Sequence, residues 1–364
     1  MYKVFQSVRY LNLAGTETVF MNWYRYIDRQ KIQFDFGVNK RYYTPLVSEI
    51  NQKGGRIFII PSSKGIGSTI KYLFALYKVL KENGPYDVFH SHEQWLGGLT
   101  CFVARAAGIK KRFIISHYAD TKYNTSWEKK LLAPFARIAI RYFSTFKAAV
   151  SYEAGISLYG RKTPFTLIRN GINVDRFAYR PEVREEKRKE LGIENKFVVG
   201  HVGRFSEQKN HTFLIDAFSE IYQQNPNSHL LLLGVGGLEE KIRSKIKKLG
   251  LAEAVSFMGS RTDVQDFYQA MDVFVFPSLF EGLGIVAIEA QCSGLPCVMS
   301  DIIPQEAFVC NATAVSLHKS PKEWAHIILD KTKTFKRKDE SATIRKAGFD
   351  VAEVGKFIEQ EYLK

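Results

Sequence analysis

Short apolar runs alternate with longer stretches of helical spacing along the whole chain, the pattern produced by parallel sheets whose strands are joined by crossover helices. In the first half, Lys3 to Val8, Phe34 to Val38, Arg56 to Ile60, Val88 to His90, Arg112 to Ser116 and Ala148 to Ser151 read as strands. Helices such as Ser68 to Glu82 and Gly97 to Ala107 fit between them. A second series begins at Phe197 to Val202 and continues with His229 to Leu233, Val255 to Phe257, Val273 to Phe276 and Pro296 to Met299. The expectation is an α/β protein of two doubly wound domains. Their boundary falls near Ile168-Arg-Asn-Gly-Ile-Asn-Val-Asp-Arg-Phe177, a turn-forming stretch before a charged helix at Pro181 to Leu191. Val351 to Tyr362 again has helical periodicity. No internal repeat or low-complexity tract interrupts this order, and the basic run Lys331 to Lys338 reads as a solvated face.

A chain of 364 residues suits two domains of ordinary size, and 45% hydrophobic with 24% charged residues is a globular composition. The N-terminus lacks a secretory leader, and no run approaches the roughly 20 apolar residues of a membrane span, so a cytoplasmic protein is expected. Cys101, Cys292, Cys297 and Cys310 show neither zinc-site nor disulfide spacing. The net charge of +15 lies wholly in residues 1–175, which hold 26 Lys and Arg against 11 Asp and Glu, whereas the remainder holds 26 of each. Such asymmetry points the first domain at an anionic surface, whether acidic lipid, a diphosphate-bearing acceptor or nucleic acid. Trp127 to Phe143 mixes large apolar residues with Lys129, Lys130, Arg137 and Arg141. It reads either as a membrane-surface segment or as a helix packed on its own sheet, and Pro134 divides it into two short helices.

Chemistry concentrates in the second half. Glu281-Gly-Leu-Gly-Ile-Val-Ala-Ile-Glu289 places one acid on a loop and the other inside a helix starting near Gly284. At roughly 1.5 Å per residue the helix reaches Glu289 within about 8 Å, so both acids can face one elongated ligand. Gly282 and Gly284 allow close backbone approach, and the first helical turn offers N–H groups to an anion such as diphosphate. Gly203-Arg-Phe-Ser-Glu-Gln-Lys-Asn210 follows the first strand of the second domain, and the cations Arg204 and Lys209 suit the oxygens of a diphosphate that gains charge as it departs. Gly234-Val-Gly-Gly237 lacks the complete dinucleotide-loop pattern and reads as a tight strand-to-helix turn.

The stretch Pro277-Ser-Leu-Phe-Glu-Gly-Leu-Gly-Ile-Val-Ala-Ile-Glu-Ala-Gln-Cys-Ser-Gly-Leu-Pro296 closely resembles the signature of the retaining glycosyltransferases of family 4. That resemblance implies the GT-B fold, two Rossmann-like domains facing across a cleft. The acceptor domain would be residues 1–170 with the final helix, about 351–364, crossing back onto it, and the nucleotide-sugar domain would be residues 171–350. It further implies that Arg204 and Lys209 hold the donor diphosphate, that Glu281 contacts the transferred sugar, and that Glu289 accepts the ribose hydroxyls. Gly203, Gly282, Leu283, Gly284 and Ile285 line the donor, and Arg261 in Met258-Gly-Ser-Arg-Thr-Asp263 meets the base, with Asp263 as a helix N-cap. In the first domain, Leu13-Ala-Gly-Thr-Glu17 takes the place of the family's Gly-Gly loop, with Ala14 at the first glycine and Gly15 retained. Asp87-Val-Phe-His-Ser-His-Glu93 resembles its H-x-H segment, placing His92 at the donor sugar and His90 in a structural role, while His117 is a candidate on the acceptor side.

The implied activity is a retaining transfer of a hexose or N-acetylhexosamine from a nucleotide-diphosphate sugar, UDP being the commonest donor nucleotide, to a polyprenyl-diphosphate-linked saccharide in capsule or exopolysaccharide synthesis. No metal or cofactor is implied, and membrane contact would be peripheral, at the inner face of the cytoplasmic membrane through the basic domain. A nucleotide-sugar epimerase of related fold would use the same kind of cleft. A nucleic-acid partner would account for the basic half but not for the paired acids and cations, and none is expected.

Overall fold

The computed structural model describes residues 1–11, 15–61, 66–119 and 127–364, and forms two compact units, Met1–Gly171 with Val351–Lys364, and Ile172–Asp350. Leu13 and Ala14 of the expected glycine loop, and the side chains of Lys129 and Lys130, lie outside the described residues.

The first unit carries seven strands: β1 (Tyr2–Ser7), β2 (Ile32–Val38), β3 (Ile57–Ile59), β4 (Val88–Ser91), β5 (Lys111–Ser116), β6 (Phe146–Ala149) and β7 (Thr166–Leu167). They pair in the order β3-β2-β1-β4-β5-β6-β7, each pair parallel. The second carries β8 (Phe197–Val202), β9 (Ser228–Leu233), β10 (Val255–Gly259), β11 (Val273–Phe276), β12 (Cys297–Ser300) and β13 (Ala312–Val315), in the order β10-β9-β8-β11-β12-β13, again all parallel. Parallel strands covered on both faces are apolar throughout, and β9 and β11 are buried along their full length. In each sheet the winding reverses once, between β1 and β4 and between β8 and β11. The loops leaving these strands at their carboxyl ends carry the residues singled out above, since diverging crossovers leave a crevice there.

Two short strands, β7 and β13, were not expected from the sequence; each is an edge, and β7 is only two residues long, too few to show a period. The helix Trp127–Phe143 also departs from expectation, running through Pro134 as one element. A proline inside a helix costs about 3 kcal/mol, and tight packing on the neighbouring helix Gly97–Ala106 offsets it: a Cβ at Gly98 would lie 2.7 Å from Ile140 N, so the two backbones are nearly in contact. Of the two readings left open for this segment, Arg137 fits the packed helix: it donates to the carbonyls of Ser157 (2.9 Å) and Leu158 (3.3 Å) and covers the Trp95 ring. Nor is the basic run at 331–338 wholly solvated. Arg337 is drawn inward to the carbonyls of Tyr268, Gln269, Met271 and Ser293, and burial lowers its pKa to about 9.

The final helix, Val351–Leu363, belongs to the first unit and packs on the helix Gly15–Tyr26. Tyr362 is its anchor. Fully buried against Phe34 and Phe113, it accepts from Gln6 Nε2 (3.1 Å), and its hydroxyl lies 2.6 Å from His90 Nδ1. Replacing Tyr362 by Phe strands two buried polar groups and should lower the unfolding free energy by about 1–3 kcal/mol, whereas Tyr362→Ala should remove about 3–5 kcal/mol. Urea titration of both variants checks this, and equal stability of Tyr362→Phe and the parent would show that the hydroxyl plays no such part.

Candidate active site

In the second unit the two motifs are bound to each other before any ligand arrives. The loop after β8 and the loop after β11 run side by side, joined where Leu279 N donates to the Gln208 carbonyl (2.8 Å) and Gln208 Nε2 donates to the Phe280 carbonyl (3.0 Å). Next to this stitch Lys209 Nζ donates to Glu281 Oε1 at 2.7 Å, with side chains only 14% and 7% exposed, and the ammonium also lies over the Phe276 ring. Each predicted site residue thus holds the other in a largely dry setting, where a lone charge would be costly. Arg204 behaves differently: it is exposed, with no ion pair among the described residues.

A third loop fixes the height of this platform. Gly203 N donates to the Leu233 carbonyl and Phe205 N to the Val235 carbonyl, while a Cβ at Gly234 would sit 2.1 Å from Gly203 O. The turn at Gly234-Val-Gly-Gly237 is therefore a close-packed support for the Gly203–Arg204 backbone. Below it, His201 and His211 stack among Phe205, Phe274 and Phe276, and burial keeps both imidazoles neutral.

Gly284 has φ +85°, a left-handed conformation that glycine adopts without strain, and forms the N-cap of the helix Ile285–Cys292. No side chain caps this turn, so the N–H groups of its first residues are available to an anion. Of the other lining residues, Gly282 and Ile285 are half-buried, and Leu283 points into the core at 2% exposure, so only its backbone can serve a ligand. One turn further along, the half-buried Glu289 lies 2.9 Å from the Tyr268 hydroxyl. Burial raises its carboxyl to about 7, although the Tyr268 bond and the charge of Arg176 oppose that rise. Arg261 is exposed and doubly bonded to the Asp263 carboxylate (2.8 and 2.7 Å), with its guanidinium beside the Phe267 ring. Asp263 does occupy the N-cap position of the helix Val264–Ala270, but its side chain makes no capping bond because Arg261 has claimed it.

In the first unit the carboxyl ends of β1, β4 and β5 hold a chain of buried polar rings. His92 Nε2 is 2.8 Å from Gln6 Oε1, and His92 Nδ1 is 2.8 Å from His117 Nε2. Desolvation pushes all three imidazoles down, His90 and His117 to about 3 and His92 well below its ordinary value, so each is neutral and carries one N–H. With Gln6 Oε1 as acceptor, His92 is protonated on Nε2, and its Nδ1 then accepts from His117 Nε2–H. The lone pair left over is His117 Nδ1, buried and without a partner among the described residues. His92 therefore has both nitrogens engaged, and the ring nitrogen left with an unused lone pair belongs to His117. His90 bonds Tyr362, the structural role expected of it.

Gln94 sustains this arrangement in an unfavourable left-handed conformation (φ 47°): its amide donates to the Tyr118 carbonyl (3.1 Å) and accepts from Ser116 Oγ (3.2 Å), tying the loop after β4 to the loop after β5. Beside it the buried Glu93 carboxylate accepts from Ser7 Oγ (2.5 Å), the Tyr72 hydroxyl and Arg9 Nε (3.3 Å). Gly15 opens the helix Gly15–Tyr26. Gln6, Gln94, Gln208 and Tyr268 were not anticipated from the sequence; Gln208 alone lay inside a motif already noted. Among the described residues no group of three or more His, Cys, Asp or Glu could hold a metal ion.

These loops match known proteins along the chain. Residues 183–348 match the family described as glycosyl transferases group 1, and residues 13–176 match glycosyltransferase family 4. The putative glycosyltransferase EpsF of Bacillus subtilis is 32% identical over 349 residues, 93% of this chain and 91% of that protein. An Escherichia coli relative, UDP-Gal:alpha-D-GlcNAc-diphosphoundecaprenol alpha-1,3-galactosyltransferase, is 28% identical over 82% of this chain and 79% of its own length. HepE of Anabaena, solved in complex with UDP, shares the fold with a TM-score of 0.81 over 99% of both chains at 22% identity. With nine tenths of its length aligned to EpsF and both of its units matched in turn, the chain belongs to the family 4, group 1 glycosyltransferases of GT-B fold.

Proposed function

We propose that this enzyme transfers a hexose or N-acetylhexosamine from a UDP-sugar, with retention at the anomeric carbon, to a polyprenyl-diphosphate-linked saccharide during cell-surface polysaccharide synthesis. The observation that carries the reading is the Lys209–Glu281 ion pair set beside the uncapped helix start at Gly284. A diphosphate at the helix N-terminus gives Lys209 a stronger anionic partner, and Glu281, released, accepts from hydroxyls of the transferred sugar. Exposed Arg204 adds a second cation to the same oxygens. The relative acting on a diphosphoundecaprenol acceptor and the capsular glycosyltransferase CapH of Staphylococcus aureus, 27% identical over 90% of both chains, support the choice of pathway.

In the reaction, the bond from the anomeric carbon to the β-phosphate oxygen breaks as the acceptor oxygen bonds that carbon on the same face, and the acceptor proton passes to the departing phosphate oxygen. No covalent enzyme intermediate is needed. Charge builds on the diphosphate in the transition state, where Lys209, Arg204 and the helix N–H groups act most strongly. His117 Nδ1 is the group of the first unit suited to accept from a substrate hydroxyl.

Arg204→Ala should reduce transfer from a UDP-hexose by roughly 10²–10³-fold while leaving the melting temperature unchanged, because the side chain is exposed. Lys209→Ala should lose transfer to a similar degree but also lose stability, since it strands the Glu281 charge. A screen of UDP-, GDP- and ADP-sugars by thermal shift and hydrolysis checks the reading, and absence of binding to any of them would end it.

Glu289 gives a pH test. Its carboxyl is about 7 in the fold against 4.5 without it, so the unfolded chain releases the proton first and stability falls as pH rises from 4.5 to about 7. The effect is at most about 3 kcal/mol. Urea titrations should therefore show Glu289→Gln gaining on the parent between pH 4.5 and 8. Because ribose hydroxyls are held by the ionised form, the affinity of the parent for UDP relative to Glu289→Gln should rise over the same interval. A flat ratio in calorimetry would remove Glu289 from the nucleoside site.

A further inference from the structure

We propose that Tyr268 is a positioning residue for nucleoside binding, its single hydroxyl proton turning between the Val286 carbonyl and the Glu289 carboxylate so that the acid meets ribose in its charged form. The inference rests on the nucleoside reading of Glu289 given above and adds the group that makes the charged form tenable.

Tyr268 is completely buried, and its hydroxyl lies 3.1 Å from the Val286 carbonyl oxygen and 2.9 Å from Glu289 Oε2. A phenol has one proton to give and an oxygen that also accepts. While Glu289 keeps its proton, the carboxyl donates to the phenol oxygen and the phenol donates to Val286. Once ionised, Glu289 can only accept, and the phenol proton turns to Oε2. The other carboxylate oxygen is then the acceptor for a ribose hydroxyl. A half-buried carboxylate with no donor is costly, and Tyr268 supplies one without any movement of its ring. Burial, and after it the neighbouring carboxylate, holds the phenol well above its ordinary pKa, so it keeps its proton wherever Glu289 titrates.

The helix that carries Tyr268, Val264–Ala270, gathers the remaining support for the charged form. Arg176 donates to Gln265 Oε1 (3.0 Å) and to the Thr262 carbonyl, and its charge favours ionised Glu289. Arg261 and Asp263 stand at the start of the same helix, so one short element joins the expected base contact to the ribose acid. Asp266, also on it, is paired with Arg180 at 3.1 Å. The other elements packed on the helix Ile285–Cys292 bring Asp175, Arg345, Lys346, Cys297 and Glu306. Asp175 and Arg345 face each other at 2.6 Å, and burial keeps Cys292 and Cys297 as thiols. Arg176 is the charge among these that acts on Glu289.

The test follows UDP affinity of the full chain by calorimetry between pH 6 and 9 in the parent, Tyr268→Phe, Glu289→Gln and the double variant. Loss of the phenol's bond disfavours the carboxylate, so Glu289 ionises at higher pH in Tyr268→Phe. That variant should bind UDP about tenfold more weakly at pH 6, and the deficit should close as pH nears about 9. A packing role alone would weaken binding equally at every pH. In the Glu289→Gln background, Tyr268→Phe should make no pH-dependent difference. Should Tyr268→Phe not fold, infrared difference spectra of the parent give the answer. Adding UDP at pH 6 should remove a protonated-carboxyl band that Glu289→Gln lacks, and shift a tyrosine C–O band as the phenol changes its acceptor. No deficit in Tyr268→Phe, a deficit independent of pH, or loss of the carboxyl band without a tyrosine shift overturns the proposal and spares the ribose reading. Equal UDP affinity of the parent and Glu289→Gln at pH 9 removes both.

Discussion

The Lys209–Glu281 ion pair sets the terms for everything around it in the second unit. Two opposite charges with so little exposure are tolerable only while they face each other, so the loops that carry them must be held in register. Gln208 does this with its backbone and its amide, and the Gly203–Gly234 contact fixes the floor beneath. The pair also keeps the site ready. A ligand with an anion at one end and hydroxyls at the other satisfies both charges at once, whereas a ligand with only one of these features leaves the other charge stranded. On the reading proposed for Lys209 and Glu281, selectivity for a sugar joined to a diphosphate would follow from that constraint.

The first unit solves a different problem, that of buried neutral donors and acceptors. His90, Tyr362, Gln6, His92 and His117 form one hydrogen-bonded series, and because the imidazoles are uncharged each link dictates the next. The last helix of the chain therefore reaches the middle of the first sheet, and the amide of Gln6 determines which nitrogen of His117 is left as an acceptor. A residue with no reactive group of its own thus sets the tautomer of one that has one.

Much of the fold was legible because it rests on local pattern. The apolar runs of β8 and β11 mark both ends of each strand in the sequence, and turn residues mark the charged helix Pro181–Glu190 to within one residue. The motif residues Glu281 and Lys209 were legible as chemistry, but that they pair was not, because 72 residues separate them and only the sheet order makes them neighbours. The same holds for Arg137 and Arg337, which looked like surface cations and instead serve backbone carbonyls of other segments. Pro134 misled for a related reason: its cost is local and visible in sequence, whereas the packing at Gly98 that offsets it is not.

Net charge and exposed apolar area are usually opposed on a protein surface, because solubility favours charge where the core does not need carbon. Here both rise together in the first unit and both are unremarkable in the second. Neither sheet demands this. The outward residues of the helices Ile66–Asn83, Gly97–Ala106 and Trp127–Phe143 share no packing with the strands beneath, and polar side chains at the exposed Phe74 or Tyr142 would leave the core untouched. Such positions are free to vary as far as folding is concerned, so their coincidence with the basic half of the chain is a property of the surface and not a by-product of the core.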